Sequence, residues 1–260
     1  MLTLHPIPAF TDNYIWCIHD NQSAYVVDPG QAEPVLEYLR DRSLALKGIL
    51  ITHHHWDHVS GIEPLLQAFS GIPVWGPANE TIPGRTHDLH QGDTLSLDWG
   101  LEFRVLEVPG HTSGHIAFYS EHSPLGPLLF CGDTLFSSGC GRLFEGTPEQ
   151  MHHSLQALAA LPGTTQVCCT HEYTTANLAF AKAVEPGNQA IQERAQAVAR
   201  LRAQNLPSLP STIQLERQVN PFLRVREPAV LESLRQNCGG LPANEVESFA
   251  TLRQWKDNFQ

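Results

Sequence analysis

No apolar run in this 260-residue chain approaches the roughly 20 residues that a membrane-spanning helix requires. The opening stretch, Met1-Leu2-Thr3-Leu4-His5-Pro6, has neither the basic start nor the continuous apolar core of a secretory signal. Paired cysteines are missing too. The six, at 17, 131, 140, 168, 169 and 238, include no C-x-x-C spacing, and 168 and 169 are adjacent. This argues against a disulfide framework and suits scattered reduced thiols in a cytoplasmic protein. Positive charge is scarce: 16 Lys and Arg against 27 Asp and Glu leave a net −11. So acidic a surface argues against nucleic acid and anionic membranes as partners. An anionic small substrate would then need a local cluster of cations. No internal repeat or low-complexity tract is present. With 42% hydrophobic residues the chain can form a packed core, as one large domain or two modest ones.

Up to about residue 170, short apolar strands alternate with turns. Tyr25-Val26-Val27 runs into Asp28-Pro29-Gly30, a strand stopped by a turn. Lys47 to Ile51 reads as a buried strand, and Leu101 to Val105 alternates as a half-buried one. Ile116 to Tyr119, Leu128 to Phe130 and Gln166 to Thr170 read likewise. Pro34 suits a first helical turn ahead of Val35, Leu36 and Leu39. Thr147-Pro148-Glu149-Gln150 is a capping box ahead of another helix. After about residue 172 apolar residues recur at helical spacing: Ile191, Ala195 and Val198, then Val230, Leu231 and Leu234, then Phe249, Leu252 and Phe259. Pro207, Pro210 and Pro221 punctuate them. The spacing predicts a small, mostly helical second domain.

What is abundant is histidine, and it is concentrated. Thr52-His53-His54-His55-Trp56-Asp57-His58 places three imidazoles and a carboxylate, His53, His55, Asp57 and His58, in one short loop after a strand. Such donors suit zinc, iron or manganese. His53, His55 and Asp57 recur at every second residue, so an extended segment would point them one way, with His54 and Trp56 the other. Three later segments offer further ligands, each after an apolar strand: His111 in Pro109 to His115, Asp133 in Phe130 to Thr134, and His171 in Cys169 to Tyr173. His53, His55 and His111 can hold one metal ion. Asp57, His58 and His171 can hold a second, and Asp133 can bridge both through its two oxygens. Each ion keeps open positions, as a catalytic site requires. Two divalent ions about 3.5–4 Å apart generate hydroxide near neutral pH and polarise a carbonyl. From the residues alone, Asp28 reads equally as a turn former or as a carboxylate behind a ligand histidine. His115 reads equally as such a support or as a satisfied strand histidine. His54, His152 and His153 read as structural or exposed.

The H-x-H-x-D-H motif with the later His, Asp and His resembles the metallo-β-lactamase superfamily. The chain is more closely similar to the glyoxalase II (hydroxyacylglutathione hydrolase) family. The likeness rests on Thr11-Asp12-Asn13-Tyr14, on Cys131 to Phe136 running on to Gly139 through Gly146, on His171-Glu172-Tyr173, and on Arg253 to Phe259. The resemblance implies an α+β fold, an αββα sandwich over residues 1–172 with the two-metal site at one edge. It implies a helical glutathione-binding domain over 173–260. The implied reaction is hydrolysis of S-D-lactoylglutathione and related 2-hydroxyacyl glutathione thioesters to D-lactate and glutathione, the second step of methylglyoxal detoxification. A hydroxide bridging two divalent ions, zinc before iron or manganese, would attack the thioester carbonyl. Asp57 and Asp133 are the implied catalytic carboxylates, Asp57 accepting a hydroxide hydrogen bond without being the sole base. Glutathione contacts would fall on Arg142, Phe144, Tyr173, Arg253 and Lys256. Some members carry Lys at the position of Arg142, which keeps charge but changes geometry. Where some have Tyr, Phe144 has no hydroxyl, so its contact is apolar or through its backbone. Arg253 and Lys256, three apart on a helix, would share a face and suit glutathione carboxylates. The expected partner is the small glutathione thioester, handled by a cytoplasmic monomer. The nearest rival is a glutathione persulfide dioxygenase of the same superfamily, which typically lacks the long helical C-terminal domain. A β-lactamase or lactonase would not need Arg253 and Lys256. A flavodiiron-type module would carry Glu in place of His55, and a storage protein would not need an open site.

Overall fold

The computed structural model describes residues 2–240 and 242–259. By contacts the chain forms two compact units. The first comprises Met1–Glu107, Gly114–Gly132 and Cys168–His171. The second comprises Val108–Ser113, Asp133–Val167 and Glu172–Gln260. Besides the C-terminal residues, the second unit thus gathers two stretches from the middle of the chain.

The first unit opens with β1 (Thr3–Ala9), β2 (Asn13–His19), β3 (Ser23–Val27), α1 (Glu33–Arg42) and β4 (Ala45–Leu50). It continues through α2 (Trp56–Val59), α3 (Ile62–Ala68), β5 (Val74–Pro77) and β6 (His87–Leu89). These strands form one sheet of order β1-β2-β3-β4-β5-β6. Its first three strands are antiparallel, and β3 to β6 run parallel. Then β7 (Thr94–Ser96), β8 (Glu102–Glu107), β9 (Ile116–Ser120) and β10 (Leu128–Phe130) pair antiparallel in the order β10-β9-β8-β7. The predicted alternation at 101–105 holds, with Phe103 and Val105 buried and Glu102 and Arg104 exposed.

β2 and β3 are buried along their whole length, and the apolar run Tyr25 to Val27 is the sequence sign of the second. On one face, Ile15, Cys17, Val26 and Ile49 pack against Val35 and Leu39 of α1 and Ile62 and Leu65 of α3. On the other, Trp16 of β2 meets Phe130 of β10, ring centroids 6.4 Å apart. Phe103 lies 5.7 Å from Phe130 on the same basis. Each such buried large side chain contributes about 1.5–3 kcal/mol. The parallel strands β3 and β4 end side by side. Their C-terminal ends therefore bring Asp28 next to Thr52 and to the histidine loop that follows.

The second unit holds the hairpin β11 (Leu135–Phe136) and β12 (Gly139–Cys140), then α4 (Pro148–Ala159). The capping box at Thr147 and Gln150 is formed in both directions. β13 (Gln166–Cys168) pairs through Gln166 and Val167 with β14 (Ser211–Thr212), and between them in sequence come α5 (Thr174–Val184) and α6 (Gln189–Arg202). The chain ends with α7 (Ile213–Val219), α8 (Pro228–Asn237) and α9 (Glu245–Asp257). Ile191, Val198, Leu178, Ala181 and Val219 form one core. Val230, Leu234, Phe249 and Leu252 are buried as their spacing predicts. Phe259 falls outside that pattern: α9 stops at Asp257, and the ring packs on Phe180 at 5.2 Å from beyond the helix end.

Candidate metal centre and substrate site

In the first unit the loop after β4 is extended only as far as His55. His55 is the N-cap of α2, so Asp57 lies in a helical first turn. The extended segment expected to carry His53, His55 and Asp57 therefore ends before Asp57. A carboxylate in a first turn suits the helix dipole. His53 Nε2 and His55 Nδ1 converge to 3.1 Å. Two imidazole lone pairs this close repel unless a cation or proton lies between them. Asp57, His58 and His171 present one donor atom each, all within 4.8 Å of one another. His171 Nε2 and His58 Nε2 lie 3.4 and 3.7 Å from Asp57 Oδ2.

The supports behind these histidines explain which nitrogen faces inward. Asp28, in the left-handed region at φ 53°, accepts hydrogen bonds from Thr52 N at 2.8 Å and Thr52 Oγ1 at 2.7 Å. Its Oδ2 also lies 3.2 Å from His58 Nδ1. With its hydrogen committed to Asp28, the Thr52 hydroxyl accepts from His53 Nδ1 at 3.1 Å. His171 Nδ1 donates to Asp12 Oδ1 at 2.8 Å. In His53 and His171 the contact at Nδ1 turns Nε2 toward the neighbouring donors, an arrangement that suits a metal-binding histidine. Asp28 is a support and no mere turn former. His115 is fully buried and stacks on His53 at 4.5 Å with rings 19° apart. His54 pairs with Glu80 at 2.9 Å.

Sequence reasoning missed Asp12, Asn13 and Thr52 as site residues. Asn13 Nδ2 donates to Asp57 Oδ2 at 3.1 Å. Asp12 and Asn13 sit inside the Thr11 to Tyr14 motif, and Thr52 precedes the first histidine, so position was the available signal.

In the second unit His111 and Asp133 come together, Nε2 to Oδ2 at 3.4 Å. His111 Nδ1 donates to the backbone oxygen of Arg142 at 2.9 Å, which leaves Nε2 as the atom that faces Asp133. Close backbone approach requires glycine at 141. A Cβ there would lie 2.0 Å from Asp133 O and 3.0 Å from His111 Nδ1.

The proposed glutathione residues divide by environment. The Arg142 side chain is exposed, 3.9 Å from Asp257. Phe144 is 64% exposed, its ring edge-on to His111 and its backbone N–H bound to His111 O at 3.2 Å. Its side chain therefore offers apolar contact only. Tyr173 is partly exposed and packs edge-on against Phe136. Arg253 is not a solvated helix charge. It is buried, donating to Cys140 O at 2.9 Å and to Asp257 Oδ1 at 2.9 Å. Lys256 is half-buried, donating to Ala176 O at 3.2 Å over the rings of Phe180 and Phe259. Burial lowers its pKa, and the neighbouring Arg253 and Arg142 lower it further. Burial also pushes the Cys140 thiol up to about 11, so it is neutral. Arg142, Arg253 and Lys256 thus gather around Asp257, a local excess of positive charge in an acidic chain.

Comparison with known proteins agrees in both halves of the chain. The family model for the metallo-beta-lactamase superfamily matches residues 10–171. The model described as hydroxyacylglutathione hydrolase C-terminus matches residues 172–259. A hydroxyacylglutathione hydrolase of Cupriavidus taiwanensis is 57% identical, with 100% of each chain covered. One of Pseudomonas entomophila is 55% identical over 100% of each chain. Among solved structures, TTHA1623 in a di-iron-bound form matches with a TM-score of 0.59 at 26% identity, covering 84% of this chain and 100% of that one.

Proposed function

The chain belongs to the hydroxyacylglutathione hydrolase family of metallo-β-lactamase-fold enzymes, and from that premise we propose that it hydrolyses S-D-lactoylglutathione and related 2-hydroxyacyl glutathione thioesters to the hydroxy acid and glutathione. What supports this reading most is the match of residues 172–259, because the histidine motif alone specifies only the superfamily. The division of labour we propose is catalysis by residues 1–172 and glutathione binding by residues 173–260.

The donor set fits two divalent ions. In this reading His53, His55 and His111 would hold one, Asp57, His58 and His171 would hold the other, and Asp133 would serve both. Zinc is the first candidate, with iron or manganese accepted by the same ligands. Such ions, when bound, supply hydroxide near neutral pH and an electrophile for the thioester carbonyl. The chain's own residues do the rest. Asp12, Thr52 and the Arg142 carbonyl hold the protons on Nδ1 of His171, His53 and His111, and Asp28 stands 3.2 Å from Nδ1 of His58, so the Nε2 atoms need little reorganisation when substrate arrives. Asn13 holds one oxygen of Asp57 and so fixes the carboxylate plane. Arg142 and Lys256 take the glutathione carboxylates, and Phe144 and Tyr173 line the peptide portion; Arg253, which the resemblance also assigned to glutathione, is buried on Asp257 and backs the cluster instead. Glutathione thiolate is a good leaving group, so strong acid assistance is not required.

The reading includes a monomer in the cytoplasm. The six cysteines are scattered, with no C-x-x-C spacing, which suits a reducing compartment. No described helix is long and apolar enough to cross a membrane. The test is to measure thioester hydrolysis beside oxygen consumption with glutathione persulfide, with metal analysis of the same protein. Hydrolysis without oxygen uptake is expected. Oxygen uptake without hydrolysis would transfer the chain to the dioxygenase alternative.

A further inference from the structure

Glu216 of α7 is fully buried, and among the described residues no Lys or Arg pairs with it. A carboxyl removed from water without a cation is costly, and an apolar side chain of similar size would avoid that cost. Its surroundings show what it holds. Oε2 accepts from the backbone N–H of Ser138 at 2.7 Å and from Asn220 Nδ2 at 3.2 Å. Oε1 accepts from the Ser211 hydroxyl. Burial raises its pKa, against the pull of these donors.

Ser138 is the turn of the β11–β12 hairpin and stands in the left-handed region at φ 58°, unusual for a residue with a Cβ. Asn220 grips the same turn from both sides, donating to Phe136 O at 3.1 Å and to Gly139 O at 2.8 Å. At the other end of this hairpin, Gly141 N bonds Thr134 O at 3.2 Å. Just beyond that pair lie Asp133 on one arm and Arg142 on the other. Asp133 meets His111, and the Arg142 carbonyl orients His111 while its side chain joins the basic cluster. One short ribbon therefore carries a candidate metal ligand and a candidate substrate contact, with Glu216 fastened to its closed end.

We propose that Glu216 is a positioning residue: by holding the Ser138 turn it sets where the hairpin's open end presents Asp133 and Arg142, and so sets metal retention and substrate KM without touching either ligand. Its KM arm rests on the thioesterase reading above, and its metal arm does not.

The test uses the full chain carrying Glu216→Gln, which keeps the size but replaces one acceptor oxygen with a donor. Ser211→Ala is the second variant, removing a donor to Glu216 without altering the hairpin. Glu216→Asp restores the charge on a shorter stem. The first readout is the rate at which excess chelator strips cobalt(II) from the loaded protein. The second is kcat and KM for S-D-lactoylglutathione well below each variant's unfolding temperature. Glu216→Gln is expected to lose cobalt roughly 10-fold faster, the scale of effect seen when a group behind a metal ligand is lost. Its KM should rise more than kcat falls. Ser211→Ala should move both readouts the same way by less, and Glu216→Asp should recover part of the loss. A Glu216→Gln protein with a lowered unfolding temperature but parental cobalt loss and KM would overturn the proposal. Should that variant not fold, parental cobalt loss in Ser211→Ala overturns it instead. If the parent chain hydrolyses no thioester, the thioesterase reading fails while the cobalt arm still decides the role of Glu216.

Discussion

Asp28 Oδ2 lies 3.2 Å from His58 Nδ1, and the same carboxylate binds both the backbone and the hydroxyl of Thr52. One buried side chain at the end of β3 thus sets the orientation of two histidines, His58 directly and His53 through Thr52. Replacing Asp28 with Asn puts an amide donor where His58 or Thr52 needs an acceptor. Metal affinity, measured by competition with a chromogenic chelator, should fall by about 10- to 100-fold while the fold is kept. Parental affinity in Asp28→Asn would mean that His58 is oriented by packing alone.

Asp133→Asn removes the anionic oxygen proposed to be shared between the two ions. Metal content and kcat should both fall, by at least the roughly 10- to 100-fold expected of supporting residues. A variant that retains parental metal content and kcat would take Asp133 out of the centre.

Arg253 and Lys256 stand three apart on α9, yet their environments predict different defects. Arg253→Ala leaves Cys140 O and Asp257 without their donors and empties a buried site. Unfolding in urea should show a loss of about 2–4 kcal/mol, from one or two hydrogen bonds to a charged group. Lys256→Ala should cost little stability and raise KM for S-D-lactoylglutathione by about 10- to 150-fold, the value of one charge-assisted hydrogen bond, with kcat kept. The reverse pattern would assign recognition to Arg253.

The lowered pKa of Lys256 carries a pH dependence. Burial, then Arg253 and Arg142, disfavour the ammonium, so it loses its proton below the ordinary 10.5. Only the protonated form attracts a carboxylate. KM should therefore be flat at neutral pH and climb on the alkaline side before an ordinary lysine would titrate. Lys256→Arg should keep KM flat over that range. An identical alkaline rise in both proteins would place the titrating group elsewhere.

Much of this was legible in the sequence. Strands β3, β4, β8, β9 and β10 announced themselves through apolar runs or alternation, and the capping box at Thr147 marked α4 to the residue. The candidate ligand set stood out because imidazoles cluster so rarely in one loop. What could not be read was direction and environment. Periodicity treated residues 53–57 as extended, whereas His55 caps a helix and Asp57 turns with it. It placed Arg253 on one helix face with Lys256 and missed that Arg253 is buried, because helical spacing fixes which residues share a side and not what covers that side. The partners of Asp12, Thr52 and Glu216 are long-range contacts set by the tertiary fold, and no local pattern encodes them.

The central claim is that turnover requires ions held by these histidines and aspartates. Metal-free protein, prepared by chelation, should be assayed on S-D-lactoylglutathione while zinc, iron or manganese is added back in steps. The account predicts no turnover at the start and activity that rises until about two equivalents are bound. Full turnover by the metal-free protein would contradict it.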